Sequence, residues 1–522
     1  MKLAVFLSGL LVCSVSLHAE TFDVIIRGGR VLDGTGAPWR YADVALNGDR
    51  IATVGFIDAA ATARTVVDAR GLYVAPGFID PHSHAGPALA KRELAGAEPL
   101  VAQGVTTVLI NPDGGGPPEL GPQLAAIAQA GPGVNAVPMI GHNGVRIAVL
   151  GYENRAPTDA ELEKMCALVR AAMQGGAFAL SSGPFYTPGN FSKTDELVAL
   201  AKVAAEFGGF YTSHIRDEGD YGIGLVSAVD EVITVAREAK LPGVVTHIKA
   251  LGPHVWGLSA EVIKHIDAAR AAGVEVWADQ YPYDASSTGL GAALLPPWAQ
   301  EGGTGALRAR LANPEQRVRI RTEMLANLDR RAGPGALMFR RFTPDPSIEG
   351  NRLNAVALER GLEPVDLAIA LLQKGSPDII SFNMRDDDVV AFMRQPWTMT
   401  CSDGDLVKFG EGVPHPRGYG TFPRKLKLYA IERGVISLER AVQSMTSQPA
   451  AIFHVKDRGE VRSGAFADLA IFDAAALRET STYEKPHAIA EGMRWVFVNG
   501  RAAIVDGRFL DVRAGRVLSR RD

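Results

Sequence analysis

The sequence of 522 residues is 47% hydrophobic and 21% charged, with a formal net charge of -4. At roughly 100–200 residues per domain, this is chain enough for several domains or for one large α/β barrel with an accessory module. The balance excludes a disordered chain, a coiled coil and the broad basic face of a nucleic-acid binder. Three cysteines, Cys13, Cys166 and Cys401, are too few for a disulfide framework or a thiolate zinc module.

In chain order, Met1-Lys2 precedes an apolar run from Leu3 to Leu17 and the small-residue site Leu17-His18-Ala19. This predicts a signal peptide over 1–19, cleaved after Ala19, and an exported protein, periplasmic or secreted. The run is shorter than the roughly 20 residues a bilayer span requires, so no stable membrane association is expected after cleavage. From Phe22, FDVIIRGGRVLDGTG and ADVALNGDRIATVG alternate β-branched runs with Gly-rich turns, as in short hairpins. SGAFADLAIFD and MRWVFVNGRAAIVDGRFL repeat that texture near the other end. A few strands at each end cannot bury a core unless they join, which predicts a discontinuous β-sandwich built from 20–75 and 455–522.

Between them, eight apolar runs alternate with helical patterns: VAPGFIDPHSH, GVTTVLINPD, NAVPMIGHN, GAFALSSG, GGFYTSHI, GVVTHIKA, GVEVWADQY and TMTCSDG. Alternation of this kind implies a parallel sheet with right-handed crossovers, and eight is the strand count of a closed (β/α)8 barrel, placed here over 76–454. Helices are predicted from Asp159 to Gln174 and from Thr194 to Glu206, the second capped by Thr194. The stretch 290–395 is too long for one crossover and reads as an insertion over the barrel mouth.

His82 and His84 end the first run two residues apart, so period two sends both rings to one face. Alone, such a pair could equally be two surface histidines. The other runs, however, also end in candidate ligands: Asp113, His214, His247 and Asp403. Catalytic groups of barrel enzymes collect at the C-terminal ends of strands. Four histidines and two carboxylates without a thiolate suit a zinc-type divalent cation, one ion or two, and metal-assisted hydrolysis. Lys249, two residues beyond His247, falls on the same side and can reach a carboxylate beside the metal. The alternative is that it pairs with a neighbouring acid and Tyr281 packs under the insertion. His142 ends the third run, where it either lines the pocket or makes a structural hydrogen bond. The remaining histidines, His415 among them, read as surface or packing residues, and Cys166 as a buried small hydrophobe. Cys401 should share the face of Asp403.

Taken together, VAPGFIDPHSH, SSGPFYTPG, SHIRDEGD, THIKALGPHVWG, ADQYPYDASSTG and HPRGYGTFPR resemble the D-aminoacylase (N-acyl-D-amino-acid deacylase) branch of the amidohydrolase superfamily. The resemblance implies a distorted TIM-type barrel beside a β-sandwich, and cleavage of the amide of N-acyl-D-amino acids to a carboxylate and a free D-amino acid. It implies that His82 and His84 hold one metal position, that His214 and His247 hold the other, and that Asp403 is the acid/base. Asp113 stands where the family usually has a metal-binding cysteine, a harder ligand in place of a soft one. The resemblance further implies that the substrate's free carboxylate meets Lys249, Tyr281 and Ser287, with Arg417 as a helper. A dipeptidase or a cyclic-amide or lactone hydrolase on the same scaffold remains the enzymatic alternative. A secreted binding protein that has lost activity is the non-enzymatic one. The expected partner is a small molecule with a free carboxylate, and no nucleic acid is expected.

Overall fold

The computed structural model describes residues 20–521; the expected signal peptide over 1–19 lies outside them. Among the described residues, no helix is long and apolar enough to cross a membrane. Eight parallel strands, one to eight in chain order, run side by side around the barrel: Phe78–Asp80, Val105–Ile110, Asn135–Gly141, Ala179–Ser182, Phe210–Ser213, Gly243–Val245, Val276–Gln280 and Thr398–Thr400. Each lies within one of the eight apolar runs of the sequence. Strands one and eight meet through the loops at their C-terminal ends: the Asp403 amide donates to the His82 carbonyl (2.9 Å) and the His84 amide to that of Gly404 (3.0 Å). Asp80 reinforces this seam by accepting from the Ser402 amide (2.9 Å) and the Ser402 hydroxyl. Closure thus brings His82, His84 and Asp403 together.

Helices Asp159–Gln174, Thr194–Glu206 and Leu225–Ala239 cover the outside, burying Met165, Val169, Leu197, Leu200, Val229 and Val232 against Leu180, Tyr211 and Val245 of the strands. The first helix opens on a capping box between Thr158 and Glu161. The second departs from expectation. Its cap position is Lys193, and the Thr194 hydroxyl donates instead to Glu231 (2.8 Å), so Thr194 ties two helices together and caps neither.

The terminal strands form one sheet. Leu469–Phe472 pairs antiparallel with Tyr73–Pro76, joining the two ends of the chain, and Val24, Ile26, Val44 and Val74 share a core with Leu469, Ile471 and Phe497. Asn499 and Gly500, both at positive φ (47° and 76°), turn the hairpin between Met493–Val498 and Arg501–Val505, as the Asn-Gly signal requires.

The segment after strand seven has its own three-stranded sheet (Ser286–Gly289, Leu337–Arg341, Asp378–Ser381) and its own core around Leu290, Leu294, Met324, Phe339 and Ile379. It places Ser286, Ser287, Thr288, Arg331, Arg340 and Asp378 on the wall of the cavity above the barrel. It is latched to the loop after strand eight by Arg340, which pairs with Asp405 and donates to Ser287.

Candidate metal centre

The strand ends deliver the predicted ligands to one point. One ligand atom each from His82, Asp113, His247 and Asp403 lies within 4.8 Å of the others, and His214, Glu218 and His247 form an adjoining group by the same measure. Asp113 occupies the middle. Its Oδ1 is 3.3 Å from His82 Nε2, 3.4 Å from His247 Nε2 and 3.9 Å from His214 Nδ1, while its Oδ2 is 3.3 Å from His84 Nε2. Oδ1 thus faces histidines of both expected positions, His82 on one side and His247 and His214 on the other, while Oδ2 faces His84, so this carboxylate would stand between two cation positions. Asp403 Oδ1 faces His84 (3.1 Å) and His82 (3.5 Å).

Local backbone is distorted to achieve this. Asp113, His247 and Asp403 all have positive φ (57°, 36° and 48°), at roughly 1–3 kcal/mol each for residues with a Cβ. Such strain persists where surrounding contacts over-determine it. The Asp113 loop is held by Ser181, whose hydroxyl donates to the Asn111 carbonyl (2.6 Å) and accepts from the Gly114 amide (3.2 Å). The His247 amide donates to Asp279 (2.6 Å).

Several buried polar atoms here have no hydrogen-bond partner: both ring nitrogens of His82, Nε2 of His214 and Oδ1 of Asp113. Leaving such groups unmatched costs about 1–3 kcal/mol each, and all are zinc-type donors, so the residues present fit a divalent cation. The electrostatics agree. Burial alone would keep the rings neutral, but the facing carboxylates hold His82 well above its ordinary range and His84 up at about 9. Burial opposes charge on Asp113 and Asp403, yet His82 beside the first and Arg417 beside the second hold both well below the carboxylate range. His214, by contrast, is taken by burial down to about 3 and is a neutral donor. Two carboxylates facing four histidines therefore attract positive charge.

A cavity of about 300 Å³ opens over this centre. All of the residues expected to bind substrate line it, but their partners differ from expectation. Lys249 is paired with Glu218 and lies 2.6 Å from His247 Nδ1, as in the alternative reading, and its three-donor ammonium lines the cavity. The Tyr281 hydroxyl points to Met384 Sδ (3.6 Å), and its ring lies under the Arg417 guanidinium (4.8 Å). The Ser287 hydroxyl accepts from Arg340 (3.3 Å). Arg417, expected only as a helper, stands out. Its Nη1 is buried 2.8 Å from Asp403 Oδ2, an ion pair in which that nitrogen has no hydrogen bond of good geometry, and the residue lines the cavity.

His415 holds the Arg417 backbone, accepting from its amide at Nδ1 (3.0 Å) while Nε2 donates to the Ala285 carbonyl (3.0 Å). It is a positioning residue, where the sequence suggested surface or packing. His142 bonds Glu196 (2.8 Å) beside Arg146, a structural role. Cys401 does not share the face of Asp403: its side chain is buried among Tyr281, Tyr283 and Tyr429, and burial beside Asp279 raises its thiol well above the usual range. Cys166 is half-buried. Sequence reasoning missed Glu218, although it comes four residues after His214 in SHIRDEGD. It also missed Tyr186 in SSGPFYTPG, whose ring is 4.6 Å from that of His214.

A family model described as the amidohydrolase family matches residues 65–509. The chain belongs to this family. This amidohydrolase is 35% identical to the D-aminoacylase of Alcaligenes xylosoxydans xylosoxydans, over 96% of this chain and 98% of the relative. It superposes on a crystal structure of D-aminoacylase with a TM-score of 0.82 at 34% identity, covering 96% of this chain and all of the other. It is similar also to the N-acyl-D-glutamate deacylase of Bordetella bronchiseptica, solved with zinc and a phosphonate mimic of the tetrahedral intermediate. There the TM-score is 0.80 at 32% identity, over 96% of this chain and all of that one.

Proposed function

We propose that this amidohydrolase cleaves the amide bond of N-acyl-D-amino acids, using zinc held by His82, His84, Asp113, His214 and His247 with Asp403 beside them. The observation that carries the reading is the cluster of strand-end ligands with Arg417, paired to Asp403, on the wall of the cavity that opens over it. A free carboxylate held by Arg417 places the adjoining amide over the metal centre. A divalent cation there would polarise the amide carbonyl and make water more acidic. Asp403 is ionised, with Oδ2 against Arg417 and Oδ1 facing the centre, so Oδ1 is the atom that takes the proton of the attacking water and hands it to the leaving nitrogen. The small cavity suits an acylated amino acid better than a longer peptide. Export through the leader over 1–19 completes the proposal and rests on the sequence alone.

The test is amine release from paired N-acetyl-D- and N-acetyl-L-amino acids, beside dipeptides, hydantoins and lactones. Turnover confined to the D-acyl series supports the reading. Turnover of the cyclic amides, lactones or dipeptides alone overturns it in favour of the same scaffold with another substrate.

A further inference from the structure

Three arginines line the cavity, and they are not equally matched. Arg417 stands against Asp403, and Arg340 is paired with Asp405. Arg331, the residue after helix Pro314–Arg330, is 2% exposed and reaches the same cavity. Among the described residues no carboxylate lies within ion-pair distance of it. Its Nε donates to the Tyr221 hydroxyl (2.7 Å) and its Nη1 to the Ser381 hydroxyl (3.2 Å), and both acceptors are neutral. Its neighbour Arg330 does find an acid, Asp220 at 3.4 Å. Asp378, the lid carboxylate on the cavity wall, is at the opposite end of strand Asp378–Ser381 and feels Arg340.

A guanidinium stays charged at any working pH, and withdrawing it from water without a counter-charge is costly. The open space against Arg331 is the cavity, so the missing counter-charge is one that arrives there. It is not the carboxylate next to the scissile amide. Arg417 lies beyond strand eight, whereas Tyr221, which holds Arg331, lies beyond strand five, nearly across the mouth of an eight-stranded barrel. Phe185 links Tyr221 to the metal side, with ring distances of 5.7 Å to Tyr221 and 5.3 Å to His214.

We infer that Arg331 is a specificity-determining residue that binds a second anionic group of the substrate, so that the favoured class is N-acyl-D-amino acids with an acidic side chain, glutamate or aspartate. This rests on the deacylase reading above and adds to it the choice of side chain. Arg417 holds the carboxylate beside the amide, Arg331 holds the one at the end of the side chain, and the metal centre lies between.

The decisive comparison uses near-isosteric pairs, N-acetyl-D-glutamate with N-acetyl-D-glutamine and N-acetyl-D-aspartate with N-acetyl-D-asparagine, in zinc-loaded wild type, Arg331→Met and Arg331→Lys. A lost charge-assisted contact corresponds to a factor of about 10–150. Wild type should therefore favour the acid over its amide by about that factor in kcat/KM in at least one pair. Arg331→Met should bring the ratio near one, and Arg331→Lys should restore part of it. Because the ratio is internal to each protein, partial loss of active enzyme leaves it readable. Calorimetric binding of the same pairs to zinc-loaded Asp403→Asn reads the ratio without turnover. A wild type that hydrolyses N-acetyl-D-amino acids but shows no acid preference, or a preference unchanged in Arg331→Met, overturns the inference and leaves the deacylase reading standing. A wild type that hydrolyses none of them, yet binds acid over amide only while Arg331 is present, overturns the deacylase reading and leaves the anion subsite standing.

Discussion

Replacing Asp403 by asparagine keeps the shape of the side chain and removes its charge and basicity. The carboxylate is 5% exposed, with Oδ1 3.1 Å from His84 and Oδ2 2.8 Å from Arg417. The four histidines and Asp113 remain around the cation site, so metal content should stay near that of wild type. What disappears is the group that moves the proton, typically a factor of 100–10,000, or about 3–5 kcal/mol of the activation barrier. Arg417 also loses its counter-charge, and removing one partner of a buried pair costs about 3–5 kcal/mol of stability, less here because an amide oxygen can still face it. The assay measures kcat on an N-acetyl-D-amino acid, zinc per protein by atomic emission, and the melting temperature. A fall in kcat within that range, with zinc retained and a lowered melting temperature, is expected. Near-wild-type turnover refutes the proton-transfer role. Zinc lost in step with activity shows instead that Asp403 serves mainly to hold the metal.

Other expectations come from the geometry around it. Asp113→Ala removes the carboxylate that faces both His82 and His247 and should lower zinc content together with activity, whereas Asp113→Cys should retain zinc; unchanged zinc in the alanine variant would show that Asp113 is not a ligand. Gly141→Ala places a Cβ about 2.0 Å from the Gly115 carbonyl, against the loop that carries Asp113, so zinc affinity should fall although no ligand has changed; wild-type affinity would mean the loop yields freely. Lys425, buried with a single hydrogen bond to Thr400, is brought by burial and then by Arg440 to about 7. From about pH 7 to its ordinary value near 10.5 the unfolded chain holds this proton and the native one does not, so stability should rise with pH across that window, by on the order of 5 kcal/mol at most. Lys425→Met should accordingly be more stable than wild type at pH 6 and lose that advantage toward pH 10, read by chemical denaturation; a pH-independent difference would contradict this.

The barrel is legible in the sequence because its signals are local. Apolar runs, Gly turns and a chemical group at each run's end place His82, Asp113, His214, His247 and Asp403 in sequence, and strand closure then brings them within a few ångströms. Pairings made across the cavity leave no such local mark. Lys249 reads either as a substrate ligand or as the partner of a neighbouring acid, and nothing in THIKA singles out Glu218, which comes from the loop after strand five. Arg331 is invisible for the same reason, since a helix-terminal arginine in a long insertion looks like any solvated one until the lid folds over the barrel. Thr194 has the composition of a cap, and a tertiary contact to Glu231 claims its hydroxyl. Cys401 shows the limit of alternation: Asp403 takes a left-handed φ, so the period of two breaks between them.

The central claim is that the strand-end cluster works through a bound divalent cation on N-acyl-D-amino acids. It is tested most directly by stripping the protein with a chelator and titrating zinc back while following amine release from an N-acetyl-D-amino acid and its L-enantiomer. The expected result is no turnover in the stripped protein, recovery as one to two equivalents of zinc bind, and recovery for the D-enantiomer far above the L. Undiminished turnover in metal-free protein, or zinc binding that restores neither enantiomer, would contradict the account.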